Sequence, residues 1–81
     1  MTYIVAWTLV QAQHAARHVL KTEPFVWVNN AERLRGLQRG TEIVFVDAPR
    51  YRAGYNERKE RLAIRLTVAA REMKIKEVTL P

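Results

Sequence analysis

The sequence predicts an open α/β fold built on one small parallel sheet. Short apolar runs alternate with segments of helical periodicity along the whole 81-residue chain. Strand–helix–strand alternation of this kind favours parallel pairing with right-handed crossovers. The first and third apolar runs are the most apolar and are predicted to be central, whereas the last is polar and is predicted to be an edge. We therefore expect a four-stranded sheet in the order 2-1-3-4 with three helices on its two faces.

The first strand and helix are predicted at residues 3–23. Residues 3–7 form an apolar run typical of a buried strand. Thr8 and Gln11 have the spacing of a capping box, in which the threonine hydroxyl accepts from the Gln11 amide. The helix that follows is expected to bury apolar residues at helical spacing. Those residues are Leu9, Ala12, Ala16, Val19 and Leu20.

The middle of the chain predicts a second strand, a short helix and a third strand. The second strand covers residues 25–28, where aromatic and β-branched side chains cluster. Asn29 with Glu32 then has the pattern of a helix start, so a short helix is expected over residues 31–37. The third strand is expected at residues 42–47.

The last helix is predicted from about Asn56 to about Lys74, followed by a short strand at residues 77–80. Its expected buried stripe is Leu62, Leu66, Ala69 and Met73, with Ile64 and Val68 beside it. No linker, repeat or low-complexity segment interrupts the chain, so residues 1–81 are expected to form one domain.

Composition restricts the classes of function. The chain carries a net charge of +6, with ten arginines against four lysines, and contains no cysteine. A basic surface favours nucleic acid, an anionic membrane or an acidic protein, and arginine suits forked recognition of phosphate or carboxylate. Without cysteine, neither a disulfide framework nor a thiolate zinc site can form. No apolar run approaches the roughly 20 residues needed to span a bilayer, and no secretory signal is recognisable, so we expect a cytoplasmic protein.

Residues 48–55 and the start of the last helix are the strongest candidate for function. The segment is the one long connection after a predicted central strand, and loops at this end of a parallel sheet commonly bind ligands. Arginines at i, i+3 and i+7 share a helix face, and tyrosine rings among arginines suit base stacking or protein anchoring. The candidate residues are Arg50, Tyr51, Arg52, Tyr55, Arg58, Arg61 and Arg65. The alternative is a solvated face with intrahelical pairing, such as Glu57 with Arg61.

Nucleotide binding and catalysis find little support. Trp7 leads directly into Thr8 and the first helix, which leaves no glycine-rich turn for a phosphate, and no cofactor is expected. Asp47 ends a central strand near the predicted crevice between strands 1 and 3, and it is a weak candidate for phosphate-ester catalysis. No second acid or histidine accompanies it, so a structural role at the start of the loop is favoured.

Two further features concern metals and oligomers. His14 and His18 stand four residues apart and would point the same way on a helix, but no third ligand is evident, so they are only weak candidates for a metal site. Phe25 and Trp27 lie on a predicted edge strand, where an exposed apolar edge favours pairing with a second copy of the chain. Coverage by the first helix or the terminal segment is the alternative.

The arginine-rich, cysteine-free sequence is similar to the small α/β accessory proteins of actinobacterial phages. The similarity lies in the segments at residues 27–37 and 47–55. It implies an accessory role, often contact with a host factor, and brings no catalytic residues with it. The first hypothesis is therefore a non-enzymatic module that binds an acidic protein surface. The alternatives are nucleic-acid binding through the same residues, or a phosphate-ester enzyme centred on Asp47.

Overall fold

A computed structural model describes all 81 residues and confirms the predicted class and strand order. The four strands form one sheet in the order β2-β1-β3-β4, and every pairing is parallel. They are β1 (Thr2–Val5), β2 (Phe25–Val28), β3 (Glu42–Asp47) and β4 (Lys74–Thr79). In the register of the sheet, Ile4 lies beside Trp27 on one side and beside Val44 on the other. The two most apolar strands are therefore the central ones.

Two helices flank the sheet, and the prediction of three was wrong. The first, α1 (Leu9–His14), continues as a π-helical segment (Ala15–Leu20), and the second is α2 (Tyr55–Ala70). The expected helix at residues 31–37 is a single 3₁₀ turn, Ala31–Leu34. The backbone becomes extended at Arg35 and left-handed at Gly36 (φ 83°), which is a conformation that glycine adopts easily and that ends the turn.

Local capping at α1 was predicted correctly in part. The Gln11 amide donates to the Thr8 hydroxyl at 3.2 Å, as the capping-box spacing indicates. The Gln11 side chain, however, accepts from the Trp7 amide at 3.1 Å, one residue earlier than in a regular box. At the second expected cap, the Asn30 side chain makes no capping hydrogen bond to the 3₁₀ turn and instead donates to the side-chain oxygen of Asn29.

The end of α2 and the start of β4 both come earlier than predicted. The helix ends at Ala70, because the chain turns through Glu72 with a left-handed φ of 56°. The Lys74 amide then donates to the Thr41 carbonyl at 3.0 Å, which starts the pairing with β3. Pairing along all of β3 extends β4 to six residues, well beyond the apolar part that the sequence pattern marks.

The core consists of two apolar clusters, one on each face of the sheet. The cluster on the α1 face contains Ile4, Ala6, Ala12, Ala15, Ala16, Val44, Val46, Val78 and Leu80. The cluster on the α2 face contains Val5, Val28, Leu34, Ile43, Phe45, Ile64, Val68 and Met73. Alternate residues of the central strands supply opposite clusters, as the two-residue period of a strand requires.

The predicted buried stripe of the first helix was only partly right. Ala12, Ala15 and Ala16 are buried, so small side chains bring this helix close to the sheet. Leu9 and Val19 were expected in the core, yet they are 43% and 46% exposed. The helix is thus positioned by its alanines and leaves larger apolar side chains at the surface.

The predicted stripe of α2 was wrong in its orientation. Ile64 and Val68 are buried, whereas Leu62 is 58% exposed and Leu66 is 63% exposed. The helix is rotated so that the side chains expected beside the stripe lie at its centre. The two leucines therefore point away from the sheet.

β2 is an edge strand, as predicted, but its aromatic side chains have internal contacts. Phe25 and Trp27 are half-buried and pack against the cluster on the α1 face. The Trp27 indole N–H donates to the Ala6 carbonyl at 3.0 Å. These contacts agree with the alternative of coverage from the first helix, and pairing with a second copy stays a prediction.

Candidate functional site

The loop at residues 48–54 is folded back onto the start of α2. The Tyr51 hydroxyl donates to one carboxylate oxygen of Glu57 at 2.8 Å, and the Gly54 amide donates to the other at 2.8 Å. The Tyr51 ring also stacks against Trp7, with centroids 6.3 Å apart and planes 15° apart. Glu57 therefore caps α2 and fixes the loop at the same time.

These two hydrogen bonds have electrostatic consequences for both side chains. The pKa of Glu57 lies below its usual value, because the Gly54 amide and then the Tyr51 hydroxyl stabilise the carboxylate. The pKa of Tyr51 is raised, first by the hydrogen bond to Glu57 and then by partial burial. The pair is thus held as a neutral phenol that donates to an ionised carboxylate.

The Arg61 guanidinium makes contacts within the molecule and is not a free surface cation. One of its terminal nitrogens, Nη2, donates to the Val46 carbonyl at 2.5 Å, and its guanidinium carbon lies 4.3 Å from the centroid of the Trp7 ring. The other terminal nitrogen, Nη1, is buried without a hydrogen-bond partner. Burial, with a smaller contribution from Arg65, lowers the pKa of Arg61.

Arg65 is also engaged within the molecule. Its guanidinium donates to Glu77 on β4 at 2.9 Å and lies 4.3 Å from the centroid of the Phe45 ring. Together with Arg61 it joins α2 to the carboxyl halves of β3 and β4. Two of the three helix arginines that were expected to bind a partner therefore stabilise the fold.

The other predicted binding residues lie at the surface. Arg50 and Arg52 are exposed in the loop, and Tyr55 is 70% exposed at the first position of α2. Arg58 is exposed, although its guanidinium donates to the Ala53 carbonyl at 2.7 Å. The structure thus separates the predicted set into surface residues and internal ones, and Tyr51 with its bond to Glu57 belongs to the second group.

An apolar stripe runs along the outer face of α2, and we call it the outer stripe. It consists of Tyr55, Leu62 and Leu66, which are all more than half exposed. At about 100° per residue, these positions fall within a narrow sector of the helix. The charged residues nearest to that sector are Arg58 and Lys59, both cationic and exposed. The outer stripe is therefore an apolar surface with a basic border.

A cleft of about 300 Å³ opens at the carboxyl ends of β1 and β2, beneath the first half of α2. The predicted crevice lay between β1 and β3, so only the β1 side, with Trp7, was anticipated correctly. Since a single turn rather than a helix follows β2, no helix fills the space between α2 and the end of that strand. The polar residues of the cleft are Asn29, Asn56, Glu57, Glu60 and Arg61.

Asp47 and the two histidines are not grouped with further residues that could form a catalytic or metal site. Asp47 is exposed, its side chain accepts no hydrogen bond, and its main-chain carbonyl accepts from the Leu80 amide at 2.8 Å. The turn after β3 is closed instead by the Tyr51 amide donating to the Ala48 carbonyl. The rings of His14 and His18 lie 4.9 Å apart, and no group of three potential metal ligands occurs in the structure.

Two sets of residues were missed by the sequence analysis. The first is the polar rim of the cleft, where Asn29 directly follows β2 at the same edge of the sheet as Trp7. The rule that parallel strands end at the same edge could have identified them. The second is the outer stripe, for which the sequence carries no indication, because its leucines fit a core stripe equally well.

Comparison with known proteins adds no functional assignment. Neither a family model, nor a curated protein, nor a solved structure matches this chain. Neither helix of the structure has the length and apolar character that crossing a bilayer requires.

Proposed function

We propose that this chain is a non-enzymatic interaction module that binds an acidic surface of a host or partner protein. The contact surface consists of the outer stripe and the exposed part of the loop at residues 48–55. The observation that carries the proposal is the exposure of Tyr55, Leu62 and Leu66 along one face of α2. Exposed apolar patches with a polar border commonly mark protein interaction sites.

The charged residues around the outer stripe indicate which kind of partner would bind. Arg58 and Lys59 border the outer stripe, and Arg50 and Arg52 lie in the adjoining loop, all of them exposed. The carboxylates of the same helix segment, Glu57 and Glu60, belong to the cleft and not to the outer stripe. A partner with apolar anchors and acidic neighbours would therefore be complementary, and complementary charge increases association rate and specificity.

The chemistry of the exposed side chains fits an anchor role. Tyrosine and arginine are enriched among the residues that dominate binding energy at protein interfaces. Tyr55 combines a large ring with a polar tip, and the leucines supply apolar area on a rigid helix. Two turns of helix separate Tyr55 from Leu62, a length suited to an extended contact with a partner surface.

The proposal is tested by capture from nuclease-treated lysate with wild-type protein and a Leu62→Ser/Leu66→Ser variant. We expect the variant to capture about tenfold less of the specific partner, or less still, because two apolar anchor side chains are removed. Cross-linking should place acidic segments of the captured partner beside residues 55–66. Circular dichroism of the variant confirms that α2 is intact.

Val10→Ser is the matched control, since Val10 is also an exposed apolar helix residue and is 71% exposed. It should capture the partner as the wild type does. If both variants and the wild type capture the same proteins in the same amounts, the outer stripe does not bind a partner. Capture from untreated lysate that disappears in nuclease-treated lysate would favour nucleic acid instead.

Nucleic-acid binding is the second candidate, favoured by the two exposed arginines of the loop. Arg50 and Arg52 are exposed in the loop that leads to the exposed Tyr55, a combination of residues suited to phosphate contact with base stacking. A mixed DNA and RNA probe set at low salt tests it. Binding should weaken steeply with salt, with a log–log slope of about −0.9 for each neutralised phosphate, and should fall in Arg50→Ala/Arg52→Ala.

A further inference from the structure

The cleft differs in charge from the rest of the molecule. The chain has a net charge of +6, yet the charged residues of the cleft are two glutamates and one arginine. The lining is therefore net negative within a basic protein. A lining of this charge favours a cationic ligand over an anionic one such as a phosphate.

The groups of the cleft are not equally available to a ligand. Both carboxylate oxygens of Glu57 already accept hydrogen bonds, from Tyr51 and from Gly54. Glu60 is exposed at the rim and takes part in none of the ion pairs of the structure. Its carboxylate is thus the free acceptor of the cleft, and Asn56 is also among the residues that line it.

The deeper part of the cleft is apolar and aromatic. Val5, Val28 and Ile64 are buried and line it together with Trp7, whereas Trp27 borders it while its side chain packs against the cluster on the α1 face. Trp7 already accepts a cation over its ring, namely Arg61 at 4.3 Å. An apolar floor, an aromatic residue at one wall and one free carboxylate at the rim together suit a molecule with an apolar body and a positively charged head.

We propose that this cleft binds a small organic cation, with the apolar body against Val5, Val28 and Ile64 beside Trp7 and the protonated amine at Glu60. The volume of about 300 Å³ lies at the lower end of the range for small-molecule sites, which suits a ligand of one ring with a short side chain. This site lies on the opposite side of α2 from the outer stripe and does not depend on the proposed function.

Intrinsic fluorescence tests the proposal directly, because the only two tryptophans of the chain both line the cleft. Titration with phenethylamine, excited where the probe does not absorb, should give a saturable change in emission. The uncharged analogue 2-phenylethanol should bind more weakly, and the anion phenylacetate should give no saturable change. Absence of a saturable response to phenethylamine, or equal responses to all three probes, overturns the proposal.

A charge-matched pair of variants tests the role of Glu60. Glu60→Gln should weaken phenethylamine binding by about fivefold, the size expected for a partly exposed ion pair, and leave 2-phenylethanol unchanged. Glu42→Gln removes an exposed carboxylate at the opposite end of β3 and should leave both affinities unchanged. If the two variants bind phenethylamine equally, Glu60 is not the recognition group. Leu62→Ser should bind as the wild type, which separates this result from the test of the outer stripe.

Discussion

The two faces of α2 use their side chains in opposite ways. On the inner face, Arg61 and Arg65 lie against aromatic rings and bond to β3 and β4, although arginines are expected at the surface. On the outer face, Leu62 and Leu66 point away from the sheet, although leucines are expected in the core. The comparison shows that residue type alone does not tell which face of this helix is internal.

The largest expected difference between the faces is in packing. Ile64→Ala should lower the free energy of unfolding by about 3 kcal/mol, because it leaves a cavity in the cluster on the α2 face. Leu62→Ala should change it by less than about 0.5 kcal/mol, as is usual for surface substitutions. Urea denaturation of both variants measures the difference. Equal losses would mean that Leu62 is covered in solution, for instance by a second copy of the chain.

The second expected difference concerns the arginines. Arg61→Ala should lower the free energy of unfolding by about 2 kcal/mol, since it removes a charged hydrogen bond to Val46 and the contact with Trp7. Arg58→Ala, on the exposed side, should cost less than about 0.5 kcal/mol. Urea midpoints compare the two. An Arg61→Ala protein as stable as the wild type would show that the cost of burying the guanidinium cancels the stabilisation from its contacts.

The smallest expected effect is a pH dependence at the start of the inner face. Because the pKa of Glu57 is lowered on folding, its stabilisation is present above the ordinary value of 4.5 and is lost as the pH falls through the lowered value. The wild type should therefore be more stable than Glu57→Gln at pH 6, and the gap between them should be smaller at pH 3. Urea midpoints at both pH values measure this. A gap that stays constant would mean that the hydrogen bonds to Tyr51 and Gly54 do not depend on the charge.

The strand order of the sheet was predictable because the sequence pattern is compatible with a single arrangement of the strands. Apolar runs separated by helical segments allow parallel pairing, and the polar last strand can only be an edge. The cap at Thr8 was also predictable, since the bond from the Gln11 amide lies within one turn. The 3₁₀ turn at Ala31–Leu34 was not, because its length depends on where the chain must turn towards β3.

The candidate sites were less predictable for a different reason. In α2, the positions 61, 64 and 68 and the positions 62, 66 and 69 both repeat at helical spacing, so the sequence allows either stripe to face the sheet. Long arginine side chains can also lie along apolar surfaces with their charged ends engaged, so an arginine at such a position does not exclude burial.

The sequence by itself determined the class of fold, the parallel strand order and the place of the loop after β3, because these follow from local periodicity and chain connectivity. Only the tertiary structure decided the rotation of α2, and with it the internal arginines, the outer stripe and the cleft. That rotation depends on contacts of Ile64, Val68 and Arg61 with the sheet, which join residues distant in sequence. Such contacts produce no periodic pattern in the amino-acid sequence.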